Sequence, residues 1–398
     1  MATDAQLLVK KRISSIDILR GAIMLIMALD HVRDFFHHVG PNSDPTDMAT
    51  TTPILFFTRW ITHFCAPTFV FLSGVSAHLA GIKRTKSELS AFLIKRGLWL
   101  VFVEVVILTF AFSLNPFYNV FILQVLWAIG LSMILLGLVV RAPLTVIAVL
   151  GGLIFFCHDI LDYVTFPKSG VAANLDNLFL VARGSVIPLG GNRFAFDLYA
   201  IIPWTGVMFL GYVFGKLYTP AFTQQKRKKI LLYTGIGALA LFLVLRIINK
   251  YGDPNPWAIQ RDGVYTVLSF FNVSKYPPSL LYSFMTIGTS LVILSLIENV
   301  QNKFTNILII YGNVPFFYYV LHFYLIRSLD VILFFASGYH TDQILSKDSP
   351  FLFKPADMGF NLGGVYLVWL LVIVILYFPC RWFSKYKKTH HQWWLSYL

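Results

Sequence analysis

Residues 17–38 read DILRGAIMLIMALDHVRDFFHH, an apolar helix with Asp17 and Arg20 near its start and Asp30, His31, Arg33, Asp34, His37 and His38 toward its end. At about 100° per residue, His31, Asp34 and His38 share one stripe, while Asp30, Arg33, Asp34 and His37 share the adjoining one. A histidine beside carboxylates can take up and release protons near neutrality. Ionisable groups at membrane depth cost roughly 2.5–3.5 kcal/mol each on insertion scales. A stretch this rich therefore either does chemistry or pairs its charges at the interface to anchor the helix end.

Other polar groups interrupt apolar stretches further along. Arg59 and His63 lie one turn apart in TRWITHFCAPTFVFLSGVSAHLAG, followed by Ser73, Gly74, Ser76 and Ala77, small residues that permit close helix packing. Glu104, Gln124 and His322 each sit alone in further apolar runs. Singly each reads as a packing or hydrogen-bonding group; together with the first helix they imply a polar cavity inside a bundle. Cys65, Cys157 and Cys380 are solitary, so neither a metal cluster nor a disulfide framework is expected. The chain has no glycine-rich phosphate loop, GxSxG elbow or HExxH pair.

The elements that must position these groups are membrane helices. The 398 residues are 57% hydrophobic and 13% charged, with a mean hydropathy of +0.68. Runs long enough to cross a bilayer recur about ten times, near 16–37, 53–81, 91–113, 119–140, 142–160, 197–217, 229–248, 276–297, 305–336 and 362–384. Gly312, Asn313 and Pro315 predict a kink or break in the ninth. The expected fold is all-α, a polytopic transmembrane helix bundle over 16–384. A short basic leader, 1–15, enters the first helix like an uncleaved signal anchor, and a tail follows at 385–398.

Charge then suggests an orientation. Lys10, Lys11, Arg12, Lys83, Arg84, Lys86, Lys95, Arg96, Arg141, Lys216, Lys226 to Lys229, Lys303, Arg381, Lys385, Lys387 and Lys388 fall on one side. They far outnumber Lys168, Arg183, Arg193, Lys250, Arg261, Lys275, Lys347 and Lys354 on the other, so both termini are expected to be cytoplasmic. The net charge of +13 then reflects topology and anionic lipid rather than nucleic acid. The outward segments 38–52, 161–196 and 249–278 are long enough to act as lids or binding elements. Trp257, Tyr265 and Tyr276 within them suit either sugar stacking or the aromatic belt.

Four segments carry a resemblance: SIDILRGAIMLIMALDHVRDFF, ITHFCAPTFVFLSGVSAHL, KYPPSLLYSFMTIG and GNVPFFYYVLHFYLI. In this order, and with the C-terminal WWLSYL, the chain resembles bacterial membrane proteins grouped with the catalytic domain of heparan-α-glucosaminide N-acetyltransferase. The lysosomal relative moves acetyl from cytosolic acetyl-CoA to a luminal amino sugar, using a histidine. The resemblance therefore implies an integral membrane acyltransferase, here of a bacterial inner membrane. Acetyl-CoA would be its co-substrate, and a glycan or amino sugar its acceptor. A broader similarity extends to bacterial membrane O-acetyltransferases, whose Asp-x-x-Arg-small start and later histidine fall on Asp17, Arg20, Gly21 and His31. The lysosomal pattern has a glycine-rich turn that this chain lacks. Ungapped, it places the histidine near Asn42, with His37 and His38 the nearest candidates.

The expected mechanism puts the acyl-CoA phosphates near Arg20, Lys83, Arg84, Lys95 or Arg96. His31 acts as base, with Asp30 or Asp34 orienting it, while Arg33, Arg59 and His63 steady the oxyanion or the acceptor. Direct transfer and an acetyl-histidine relay both fit these residues. No metal is called for. Two other classes compete: a proton-coupled transporter using the same His/Asp cluster, and a haem redox protein using His31, His63 or His322.

Overall fold

The computed structural model describes residues 13–39, 44–182, 184–345, 351–355, 358–390 and 392–396. Lys10, Lys11, Arg12, Asn42, Arg183 and Lys347, and with them most of the expected leader, lie outside the described residues.

The chain is mainly helical. Helix α1 (Ser14–Phe36) is the hub, packing against α2 (Pro53–Thr62) and α3 (Cys65–Gly81) near it in sequence. It also meets four helices from the far end of the chain: α11 (Leu280–Leu296), α12 (Lys303–Asn313), α13 (Pro315–Ala336) and α14 (Leu362–Thr389). Helix α4 (Lys86–Phe102) continues through a π-helical turn at Val103–Leu108 and packs on α5 (Val125–Val139). Helix α6 (Leu144–Cys157) precedes the short α7 (Gly170–Asp176) and packs on α8 (Ile201–Phe214), which also packs on α3. Helix α9 (Gln224–Ile248) packs along α11, and α10 (Gly263–Phe271) lies against α2.

Glycine sets the closest approaches. A Cβ on Gly21 would come within 1.9 Å of the Leu308 carbonyl oxygen, and one on Gly312 within 1.9 Å of the Asp17 carbonyl oxygen, so α1 and α12 meet backbone to backbone. Gly74 and Gly211 do the same for α3 and α8, each with a carbonyl oxygen 2.1 Å from where a Cβ would stand. The outer faces are apolar and exposed: Val149, Leu153 and Phe156 on α6, Ile236, Leu243 and Ile247 on α9, Leu367, Val374 and Phe378 on α14. Water would penalise such faces and a bilayer would not.

Among the described residues six helical stretches are long and apolar enough to cross a membrane, fewer than the ten expected: Pro53–Gly81, Leu144–Tyr163, Ile201–Tyr218, Gln224–Ile248, Pro315–Ala336 and Leu362–Thr389. The runs around 119–140 and 276–297 shorten to α5 and α11, because each begins in extended or turn backbone. The ninth run is two helices, α12 and α13, divided at Val314 before Pro315. A small sheet was also not anticipated. Strands β1 (Val120–Leu123), β2 (Ser185–Gly190) and β3 (Arg193–Asp197) form it in the order β1-β3-β2, with β1–β3 parallel and β2–β3 antiparallel. The β2–β3 hairpin turns on Gly190 and Gly191, whose φ values of +96° and +60° favour residues without a Cβ.

Candidate active site

Near the Phe36 end of α1 the bundle encloses a cavity of about 730 Å³. Asp30, His31, Arg33, Asp34, Arg59 and His63 all line it, so the two polar helical segments singled out in the sequence meet in one place. Below them Met27, Cys65 and Phe69 form an apolar floor. Val120 and Ile122 of β1, Phe194 and Phe196 of β3, and Phe112 and Phe351 add to its apolar lining.

The charged groups are interlocked. Asp30 accepts a hydrogen bond from Arg59 Nη1 and forms an ion pair with Arg33 Nη1 at 2.9 Å. Arg33 Nη2 donates to Asp34 Oδ1 at 2.6 Å. Asp34 Oδ2 then lies 3.9 Å from His31 Nδ1, one turn back along α1. The Asp30–Arg33 and His31–Asp34 contacts follow from i, i+3 spacing on α1, Arg33 reaches its chain neighbour Asp34, and Arg59 is brought in by the α1–α2 packing. Pairing is what makes such charges tolerable in a buried setting.

The His31 ring packs against Phe323 at a centroid distance of 4.4 Å and lies 5.3 Å from the ring of His322 on α13. His322 is fully buried, and its Nδ1 faces the carbonyls of Tyr319 and Tyr318 at 2.5 and 3.3 Å. Two carbonyl acceptors place the proton on Nδ1 and leave the Nε2 lone pair available. Nε2 has no hydrogen-bond partner among the described residues. His63 is buried too, its carbonyl accepting from the Tyr282 hydroxyl at 2.7 Å.

Lys275 and Tyr276 enter the cavity from the segment between α10 and α11; Tyr276 was a candidate for sugar stacking in the sequence, whereas Lys275 was not singled out. Two buried charges hold that segment in shape. Arg246, at the end of α9, donates to the carbonyls of Asn255, Ser269, Phe270 and Asn272 at 2.7–3.0 Å. Asp253 accepts from the Ser274 amide and the Ser279 hydroxyl, both at 2.7 Å. Ser279 in turn caps α11 by accepting from the Tyr282 amide. The density of Asn, Asp, Ser and Pro in 249–279 marked a structured loop, but nothing local revealed which side chain faces inward.

The remaining expected residues sit elsewhere. Neither His37 nor His38 lines the cavity: His37 is buried in a bridge to Phe360, and exposed His38 bonds the Phe360 carbonyl through both its amide and Nδ1. Arg20 is about 16 Å of helix below His31, at 1.5 Å per residue. It bonds Asp17, Ser76 and the Gly312 carbonyl, and so ties α1 to α3 and α12. Lys83, Arg84 and Lys95 are exposed near the same end, and none of them nor Arg96 lines the cavity. Arg84 spans its own turn, donating to Ala80 O and covering the Phe92 ring. Glu104 is a cap rather than a cavity group, its carboxylate accepting from the amides of Gln124 and Leu126 at the start of α5. No group of three or more His, Cys, Asp or Glu suited to a metal occurs among the described residues.

A family model described as heparan-alpha-glucosaminide N-acetyltransferase, catalytic, matches residues 12–246. The chain belongs to that family. No curated protein matches it. The matched stretch of this N-acetyltransferase family member runs from α1 into α9 and holds Asp30, His31, Arg33, Asp34, Arg59 and His63. Lys275, His322 and Phe351 reach the same region from beyond the matched stretch. Membership and apolar helices together make this an integral membrane protein of an acetyltransferase family.

Proposed function

We propose that the protein moves an acetyl group from cytoplasmic acetyl-CoA to a sugar amine or hydroxyl on the far side of a bacterial inner membrane. The observation that carries this reading is the convergence of His31, Asp34 and Arg59 on one cavity in a chain of an acetyltransferase family. The proposed unit is a single transmembrane domain over 16–384. Its leader and tail are both cytoplasmic, as the basic excess at the Ser14 end of α1 favours.

In the proposed reaction His31 takes the proton from the acceptor's N–H or O–H as its lone pair attacks the thioester carbonyl carbon. Asp34 orients the imidazole and stabilises its protonated form. His322, close behind, offers a second basic nitrogen for the same proton. The tetrahedral oxyanion gains from the fixed guanidinium groups of Arg33 and Arg59, which need no reorganisation because Asp30 already holds them. Collapse breaks the C–S bond, and the imidazolium returns its proton to the departing CoA thiolate. A relay through acetyl-His31 uses the same groups in two steps. Arg20, Lys83, Arg84, Lys95 and Arg96 remain the proposed contacts for the donor phosphates at the Ser14 end.

The test is acetyl-CoA binding and thioester turnover by purified protein in nanodiscs, comparing wild type with His31→Ala. The reading expects saturable binding in both and turnover lost only in the variant. A wild type that neither binds nor consumes acetyl-CoA sinks it. The helix break at Val314 would then favour the second reading, proton-coupled transport, to be measured as uptake into vesicles.

A further inference from the structure

Of the charged groups that line the cavity, four pair off, and Asp44 and Lys275 form no ion pair among the described residues. Arg59 and Arg33 share Asp30, and Arg33 also holds Asp34. Asp44, exposed at the rim, has its Oδ1 occupied by the amide and hydroxyl of Thr46 at 2.8 and 2.7 Å. His31 and His63 complete the titratable imidazoles. Lys275 is 8% exposed, lines the same cavity, and has no carboxylate within ion-pair distance among the described residues. Its ammonium lies 5.0 Å from the ring centre of Tyr276, whose hydroxyl it also engages, and 5.9 Å from that of Tyr199.

Lysines are rarely buried without a counter-charge, because the desolvation goes uncompensated. This one is also held in place. Asp253 fixes the amide of Ser274, the neighbour of Lys275, and Arg246 bonds the carbonyl of Asn272 three residues earlier. A rigid, buried ammonium that faces a cavity with no carboxylate at ion-pair distance is suited to hold an anion there.

We propose that Lys275 recognises an anionic substituent (a carboxylate, sulfate or phosphate) on the acceptor sugar. The substituent sits over the Tyr199–Tyr276 platform while the reacting amine or hydroxyl turns toward His31. The acyl-transfer reading supplies only the molecule to which the anion is attached.

The experiment compares glucosamine, glucosamine 6-sulfate, glucosamine 6-phosphate and an amino-sugar uronate as acceptors, using wild type, Lys275→Met and Lys275→Arg in nanodiscs. Binding of the same sugars without acetyl-CoA is followed in parallel by tryptophan fluorescence, and thermal unfolding checks that each variant is folded. The expected result is a kcat/KM for at least one anionic sugar about tenfold or more above glucosamine, the scale of one charge-assisted hydrogen bond. The three anions tell which class is preferred. In Lys275→Met that ratio falls to near one, whereas Lys275→Arg keeps most of it. Equal kcat/KM for charged and neutral sugars, or a preference that survives Lys275→Met, overturns the proposal. If no sugar is acetylated, the acyl-transfer reading fails on its own, and the binding arm still decides this one. Saturable anionic-sugar binding lost in Lys275→Met upholds it, and binding that is absent or unaltered by the variant overturns it.

Discussion

Asp30 on α1 and Arg59 on α2 form a buried ion pair at the edge of the cavity, and the same Asp30 carboxylate also pairs with Arg33. One carboxylate therefore fixes two guanidinium groups and the angle at which the second helix meets the first. Arg59→Met leaves Asp30 with half its compensation; breaking a buried pair from one side costs about 3–5 kcal/mol. The double variant Asp30→Asn/Arg59→Met is expected to recover part of that loss, measured by thermal unfolding in a double-mutant cycle. Additive losses would show that the pair contributes nothing as a pair.

His322 gives a second, separable expectation. His322→Phe keeps a ring between Tyr318 and Phe323 but removes the free Nε2. Turnover should fall by roughly 100-fold with KM little changed, the lower end of the range for a positioned proton acceptor. A rise in KM at constant kcat would make His322 a wall of the cavity and no more.

Gly312→Ala should separate α1 from α12, since its Cβ would collide with the Asp17 backbone and no side chain can yield. Overpacking of this kind typically costs about 1–3 kcal/mol. Gly152, whose Cβ would meet nothing within 4 Å, is the control, and Gly152→Ala should leave the unfolding temperature unchanged or raised.

Asp253 predicts a pH dependence in the loop between α9 and α10. Burial pushes its carboxyl up, against the opposing pull of the Ser274 amide, the Ser279 hydroxyl and Arg246. The folded state thus holds this proton more tightly than the unfolded chain does. Its contribution to stability is fully present below the ordinary carboxylate pKa and is lost as pH rises through the raised folded value. Asp253→Asn should flatten that part of the profile, read as unfolding temperature against pH. A slope identical in wild type and variant would remove Asp253 from the account.

Half of the cavity was legible in the sequence because helical spacing is local. Asp30, His31, Arg33 and Asp34 must share a side of any helix they occupy, and Arg59 and His63 are one turn apart on the next polar segment. The other half depends on contacts between distant parts of the chain. Lys275 faces inward because Arg246, some thirty residues earlier, gathers the loop by four carbonyls. His322 looked like one polar residue in an apolar helix, and only the α1–α13 packing sets it beside His31. Strand β1 was hidden for another reason. VFIL between two apolar helices reads equally well as buried helix or strand, and its partner β3 lies about seventy residues away. The basic residues from Lys83 to Arg96 show the opposite failure, since charge alone marks an end of a bundle without saying what, if anything, is gripped there.

The glycine contacts between α1 and α12, and between α3 and α8, lie on the Ser14 side of the cavity floor. Where two backbones touch, no side chain can swing aside to admit a passenger. An opening along either of these two seams has to come from whole helices parting, pushing lipid as they go. The stiffness and thickness of the surrounding bilayer thus add to the resistance that these two seams offer to parting.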